Sequence, residues 1–175
     1  MIAARTGKKV EFSNTAFQKA TEIINRYPEG NQKSALIPLL HLAQNEFGGY
    51  LSVEAMDYVA RFMNLQPIEV YEVATFYSMF NLKPVGRFLL EICHTGPCAI
   101  RGAEKLIDTL RMKLGIEVGE TTQDGMFTLK RVECLAACGY APMLQCGERF
   151  YEFLDSEEKV EVMLNELRNK VAVNN

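Results

Sequence analysis

Residues 87–98 read RFLLEICHTGPC, a stretch that decides the fold because it joins a short apolar run to two closely spaced cysteines. The run RFLLEI is typical of a buried strand. Pro97 suits the first turn of a helix, where its missing N–H and fixed φ cost nothing. Apolar spacing predicts that this helix continues through AIRGAEKLIDTLRMKLG to Gly115. Cys93 would then end the strand, and Cys98 would lie in the first helical turn. The buried face of the helix is predicted to contain Ile100, Ala103, Leu106, Ile107, Leu110 and Leu114.

Two further strand signals and a final helix follow this segment. GMFTLKRV at 125–132 is typical of a second strand, and MLQC and RFYEF flank a hairpin turn at Gly147 and Glu148. Ser156 is placed to cap the last helix. A strand–helix–strand crossover pairs its strands in parallel, whereas a hairpin adds antiparallel strands. The pattern predicts an α/β fold, with a thioredoxin-like mixed sheet of four strands and flanking helices.

The segment before Pro84 has a different pattern, because every periodic stretch in it indicates a helix. Ser13 and Ser52 are placed to cap two of these helices, Pro38 lies inside another, and Pro67 opens a fourth. We predict a helical bundle or docking segment at 1–84 and the sheet domain at 85–175. Aromatic residues of the fourth helix and its end, which could face a partner or pack in the core, are Tyr71, Phe76, Tyr77 and Phe80.

Composition narrows the class of protein. Of the 175 residues 48% are hydrophobic, enough to form a substantial core, and the net charge of −3 lacks the basic excess of a nucleic-acid-binding protein. No apolar run reaches the roughly 18 residues that a membrane span needs. The first residues, MIAARTGKKVEFSN, lack the apolar region of a secretory signal. These features predict a cytoplasmic location, where thiols stay reduced.

Four of the five cysteines fall into two short motifs, CHTGPC and CLAAC. Their spacing is C-x4-C, then 35 intervening residues, then C-x3-C, which involves Cys93, Cys98, Cys134 and Cys138. Parallel strands joined by a crossover end on the same side of a sheet. The two motifs, each following such a strand, are therefore expected to meet in space.

Four kinds of site compete for these cysteines. A structural disulfide is disfavoured in the cytoplasm, and a thioredoxin-type redox pair needs a C-x-x-C that the chain lacks. A zinc site with four thiolate ligands remains an alternative, although the cysteines of such sites usually have C-x2-C spacing. A 2Fe–2S cluster also takes four thiolates and tolerates wider loops. Spacing alone does not decide between zinc and iron–sulfur.

Several neighbours are expected to support the site rather than to ligate it. The helix that starts near Pro97 should point free N–H groups at the thiolates, and small residues should let other backbone N–H groups approach the sulfur atoms. We expect Pro142 to form a cis peptide bond that shapes the loop carrying Cys138. The supporting residues predicted here are His94, Gly96, Ala136, Gly139 and Pro142. The fifth cysteine, Cys146, is expected to be a small buried hydrophobic residue in a strand.

Longer stretches resemble a known family. CHTGPCAIRGAE, ECLAACGYAPMLQ and VYEVATFYSMFNLKPVGRF resemble the thioredoxin-like 2Fe–2S subunit of NADH:quinone oxidoreductase, which is respiratory complex I of bacteria. The resemblance extends over about residues 12–167, nearly the whole chain. It implies one 2Fe–2S cluster, bound by Cys93, Cys98, Cys134 and Cys138, next to the FMN of a partner flavoprotein that binds NADH.

The same resemblance implies an electron-transfer role in an oxidoreductase complex on the inner face of the bacterial cytoplasmic membrane. The chain contains no G-x-G-x-x-G after a strand and no P-loop, so it is not expected to oxidise NADH alone. Similar subunits occur in NAD-linked hydrogenases and formate dehydrogenases, which are the alternative setting. A zinc-stapled interaction module is the alternative from a different functional class.

Overall fold

A computed structural model describes residues 3–172 of the chain. The chain divides into two units, Met1–Pro84 and Val85–Asn175, each with its own hydrophobic core. No helix among residues 3–172 is both long enough and apolar enough to cross a membrane.

In the described part of the first unit, residues 3–84, the chain forms four α-helices and one 3-10 turn. The helices are α1 Asn14–Asn25, α2 Leu36–Glu46, α3 Val53–Met63 and α4 Pro67–Phe76, and the 3-10 turn at Gln32–Ala35 leads into α2. Ser13 and Ser52 cap α1 and α3 as predicted, since each hydroxyl accepts a backbone N–H at 3.2 Å. Pro38 lies in the first turn of α2, where its missing N–H is tolerated.

A strap of residues before α1 lies across the start of α3. The backbone N–H of Gly7 and both the N–H and hydroxyl of Thr6 donate to the carboxylate of Glu54, at 2.9–3.1 Å. Ala4 accepts the N–H of Val53 at 2.9 Å and donates its own N–H to Leu82 at 2.8 Å. These bonds tie the N-terminal segment to residues about 50 and about 80 positions later in the chain.

The second unit contains the predicted mixed sheet. Its strands are β1 Phe88–Cys93, β2 Phe127–Val132, β3 Leu144–Cys146 and β4 Arg149–Tyr151, in the order β2-β1-β3-β4. β1 and β2 pair in parallel, and the two remaining pairs are antiparallel. The predicted thioredoxin-like arrangement is therefore confirmed. Helices α5 Gly96–Ile100, α6 Ala103–Leu114 and α7 Glu157–Ala172 complete the unit.

The core of this unit lies between the sheet and its two longer helices. Leu90, Ile92 and Leu129 from the strands are fully buried. They share one hydrophobic cluster with Ile107 of α6 and Leu164 of α7. This packing holds the C-terminal ends of β1 and β2 in place, which are the ends from which the cysteine loops leave.

The prediction of one long helix after β1 is wrong, because the chain forms two helices instead. Gly102 separates α5 from α6 with φ of 101°, a left-handed conformation that an α-helix cannot contain. Ile100, predicted for the buried face, is 88% exposed, whereas Ala103, Leu106 and the later positions up to Leu110 are buried as predicted.

Candidate metal centre

The two cysteine motifs leave the sheet at the same edge. Cys93 is the last residue of β1 and pairs in register with Val132, the last residue of β2. Cys134 follows β2 by two positions, and Cys138 begins a 3-10 turn at Cys138–Tyr140. Leu135 of the second motif packs against the buried cluster that contains Cys93 of the first. The expected meeting of the two motifs is therefore present.

The four cysteines divide into a buried and an exposed pair. Cys93 and Cys98 are 3% and 2% exposed and pack against Ala103, Ala141 and Met143, whereas Cys134 and Cys138 are exposed. A group held by all four would lie at the rim of the unit, anchored on one side and accessible on the other. Such a position permits electron exchange with a partner without exposing the whole group to water.

The buried pair is in direct contact. Burial opposes charge on Cys93, but the backbone N–H groups of Thr95 and Leu135 and the thiol of Cys98 donate to its sulfur and lower its pKa. Burial raises the pKa of Cys98 to about 11, and donation of its proton to Cys93 acts in the same direction. Cys93 is therefore the more readily ionised thiol of the pair, and a metal that binds both sulfurs must displace the proton of Cys98.

Ala136 is one of the predicted supporting residues that the structure brings to a sulfur atom. Its N–H donates to Cys134 at 3.3 Å, and its backbone has φ of 57°. A left-handed conformation is unusual outside glycine, and the small alanine side chain keeps its cost low. The loop thus aims a backbone donor at a candidate ligand.

The other residues predicted to support the site are Pro142, His94, Gly96 and Gly139. The Ala141–Pro142 peptide bond is cis, as predicted. His94 is half-buried, and Gly96 and Gly139 are exposed. The helix predicted to begin near Pro97 does begin there, but it is only five residues long, α5 Gly96–Ile100.

Two sulfur contacts were not predicted from the sequence. Met143 packs in one buried cluster with Cys98, and its backbone N–H opposes the rise in the pKa of that thiol. The hydroxyl of Thr95 lies 3.7 Å from the sulfur of Cys93. A threonine just before a helix ordinarily predicts an N-cap, so local sequence alone does not reveal a sulfur contact.

Within residues 3–172, no three His, Cys, Asp or Glu side chains converge closely enough to hold a single metal ion. A 2Fe–2S cluster with four cysteines takes them as two pairs, one on each iron. The buried pair of Cys93 and Cys98 fits such an arrangement, as does the N–H group of Ala136 that donates to Cys134. Cys146 is half-buried at the end of β3, and burial raises its pKa to about 11, so it packs largely as the small hydrophobic residue expected.

Known proteins resemble this chain over most of its length. Residues 20–168 match the sequence model of the family "Thioredoxin-like [2Fe-2S] ferredoxin". An NADH-quinone oxidoreductase subunit of Rickettsia felis is 44% identical over 158 residues, which cover 90% of this chain and 94% of that protein. The mitochondrial NADH dehydrogenase [ubiquinone] flavoprotein 2 of Dictyostelium discoideum is also 44% identical, over 91% of this chain and 64% of that protein.

Solved structures share the fold. An NAD+-reducing [NiFe]-hydrogenase in its air-oxidized state aligns with a TM-score of 0.66 and 20% sequence identity over 78% of this chain. The aligned part spans only 23% of that hydrogenase chain, about a quarter of its length. The H2-reduced state of such a hydrogenase gives the same TM-score. At this level of identity the likeness concerns the fold alone.

Proposed function

The chain belongs to the thioredoxin-like [2Fe-2S] ferredoxin family, and we propose that it is the electron-transfer subunit of an NADH:quinone oxidoreductase. Membership of this family confirms the expected cofactor, one 2Fe–2S cluster. Relatives named as a subunit of that oxidoreductase match nearly the whole length of both chains. When bound, the cluster accepts and returns one electron at a time.

We propose that Cys93 and Cys98 bind one iron of the cluster and that Cys134 and Cys138 bind the other. The observation that carries this assignment is the packing of Leu135, in the second motif, against the buried cluster that contains Cys93 and Cys98, at the sheet edge where β1 and β2 both end. Buried Cys93 and Cys98 would anchor the cluster to the core, and the exposed pair would face outward.

The protein must stabilise negative charge at this site. A 2Fe–2S cluster with four thiolates has a formal charge of about −2 when oxidised and about −3 when reduced. The backbone N–H of Ala136 donates to the sulfur of Cys134, and the backbone N–H groups of Thr95 and Leu135 act to lower the pKa of Cys93, so all three favour negative charge on sulfur. They therefore raise the reduction potential relative to a site that lacks them.

A partner must supply the NADH chemistry, since the chain lacks the common dinucleotide-binding motifs. The proposed partner is a flavoprotein subunit that binds FMN and NADH and exchanges single electrons with the cluster. Assembly with such subunits would place this chain peripherally on the inner face of the bacterial cytoplasmic membrane. The second candidate is the corresponding subunit of an NAD-linked hydrogenase or formate dehydrogenase. The fold shared with an NAD+-reducing hydrogenase supports the hydrogenase setting.

The first unit is the proposed docking segment. Near the C-terminal end of α4, Phe76 is 79% exposed, and Tyr77 and Met79 are also exposed. Phe80 is buried, and the Tyr71 hydroxyl donates to Asp57. The aromatic residues therefore divide between the two roles considered for them, and Phe76 and Tyr77 are the two that a partner could contact.

Metal analysis and spectroscopy of the anaerobically purified chain test this function. We expect two irons and two labile sulfides per chain and an EPR signal that appears only after reduction with dithionite. One zinc per chain and no sulfide would instead support an interaction module stapled by zinc. Co-purification with an FMN-containing subunit tests the proposed partner.

A further inference from the structure

Thr95 occupies the connection between β1 and α5, next to the candidate ligand Cys93. It is the N-cap residue of α5, a position at which a threonine hydroxyl ordinarily accepts a backbone N–H from the first helical turn. Its side chain makes no such bond in this structure. Pro97 has no N–H to offer that hydroxyl, and the N–H of Cys98 is already bound to the carbonyl of Thr95 at 2.9 Å.

The hydroxyl of Thr95 is therefore available to the sulfur of Cys93, from which it lies 3.7 Å. Sulfur is larger than oxygen, so this separation is within reach of a hydrogen bond to it. In the free protein either group could donate. A cysteine bound to iron is a thiolate and has no proton to give, which leaves the threonine hydroxyl as the donor.

We propose that Thr95 is a positioning residue whose hydroxyl holds the Cys93 sulfur and raises the reduction potential of the cluster. The proposal rests on the assignment of Cys93 as a ligand. An added electron increases the negative charge on the cysteine sulfur atoms, so a donor stabilises the reduced state more than the oxidised state. Thr95 is half-buried, which limits the screening of this bond by water.

Replacement of the hydroxyl by a methyl group isolates its contribution. Thr95→Val keeps the shape of the side chain and the backbone N–H to Cys93, and Thr95→Ser keeps the hydroxyl. Redox titration of the full-length cluster-loaded chain, followed by EPR, should give a more negative midpoint potential for Thr95→Val. Thr95→Ser should stay close to the wild-type potential. Thr122→Val, near the opposite end of the β1–β2 pair, is the matched control and should leave the potential unchanged.

Iron and sulfide content decides how each result is interpreted. An unchanged potential in fully loaded Thr95→Val would overturn the proposal, as would equal shifts in the Val and Ser variants. If Thr95→Val and Thr95→Ala both lose the cluster while Thr95→Ser keeps it, the hydroxyl is needed to hold Cys93. Loss in all three variants would exclude a role specific to the hydroxyl. Retention of a native cluster in Cys93→Ser would instead refute the ligand assignment itself.

Discussion

At the scale of single residues, burial distinguishes the two pairs of cysteines. Cys93 and Cys98 are enclosed by the core, whereas Cys134 and Cys138 lie on the surface. Sequence spacing predicted that these residues would meet, because the parallel pairing of β1 and β2 fixes where both loops begin. It did not predict which pair would be buried, since that depends on how Met143 and Ala141 pack over the first motif.

Serine substitutions separate the proposed ligands from the fifth cysteine. Cys93→Ser and Cys134→Ser should each abolish the dithionite-reduced EPR signal or strongly alter it, because an alkoxide replaces a thiolate on the iron. Cys146→Ser should retain the signal and the wild-type iron content. Loss of the cluster in Cys146→Ser, with a native cluster in Cys134→Ser, would exchange their assigned roles.

Glu54 is a second residue whose contribution can be measured, because its effect on folding stability should depend on pH. The N–H of Gly7, its own N–H and that of Thr6 lower its pKa from 4.5 to about 2. A carboxylate with a depressed folded pKa adds stability above its unfolded pKa and loses it as the pH falls towards the folded pKa. Glu54 should therefore stabilise the fold at neutral pH, and this contribution should disappear between about 4.5 and about 2.

Denaturant unfolding of Glu54→Gln tests this contribution. The variant should be less stable than the wild type near pH 6, and the difference should shrink as the pH falls below 4.5. Glu72→Gln, at an exposed position on α4, provides the control. A difference in stability that is constant from neutral to acidic pH would show that charge on Glu54 is not involved.

At the scale of elements, the break between α5 and α6 comes directly after the short helix that carries Cys98. Periodicity could not reveal it, because apolar residues continue at helical spacing from Ile100 through Ala103 to Leu106 and a single glycine is tolerated in a helix. The left-handed backbone of Gly102 ends α5 after one turn and lets α6 begin in a new direction. Caps and hairpin signals, in contrast, depend on neighbouring residues and were predicted correctly at Ser13, Ser52 and Gly147.

Gly102→Ala tests the connection between this break and the cluster. At φ of 101° a Cβ meets no atom within 4 Å, so the cost should be mainly conformational, about 1–2 kcal/mol in the free energy of unfolding. Gly119→Ala has φ of 92° and equally open surroundings, which makes it a matched control. Both variants should lose similar stability in urea, but only Gly102→Ala should alter the visible circular dichroism of the cluster. Identical spectra in both variants would mean that the break does not set the position of Cys98.

At the scale of the whole molecule, contacts between residues distant in sequence could not be predicted. The strap from Thr6 to Glu54 joins residues 48 positions apart, and no local pattern predicts that pairing. The family resemblance supplied the cofactor, which spacing alone left open between zinc and iron–sulfur, because both bind four thiolates.

The division into two units predicts that the cluster and the partner bind to different units. All four candidate ligands belong to Val85–Asn175, which has its own core of strands and helices. A fragment of residues 85–175 should therefore fold and take up the cluster with an EPR spectrum like that of the full chain. Without the exposed aromatic residues near the end of α4, it should bind the flavoprotein partner at least about tenfold more weakly, a loss of about 1.4 kcal/mol.

Point variants test whether that loss of affinity comes from the exposed aromatic residues near the end of α4. Phe76→Ser in the full chain should weaken the partner complex without changing iron content, because the side chain is 79% exposed and contributes little to the core. Phe17→Ser, on an exposed position of α1, serves as a control for the general effect of removing a surface aromatic ring. If the 85–175 fragment bound the partner as tightly as the full chain, the docking role would move from the helical unit to the cluster-bearing unit. Failure of the fragment to hold a cluster would show that the helical unit is needed for the site itself.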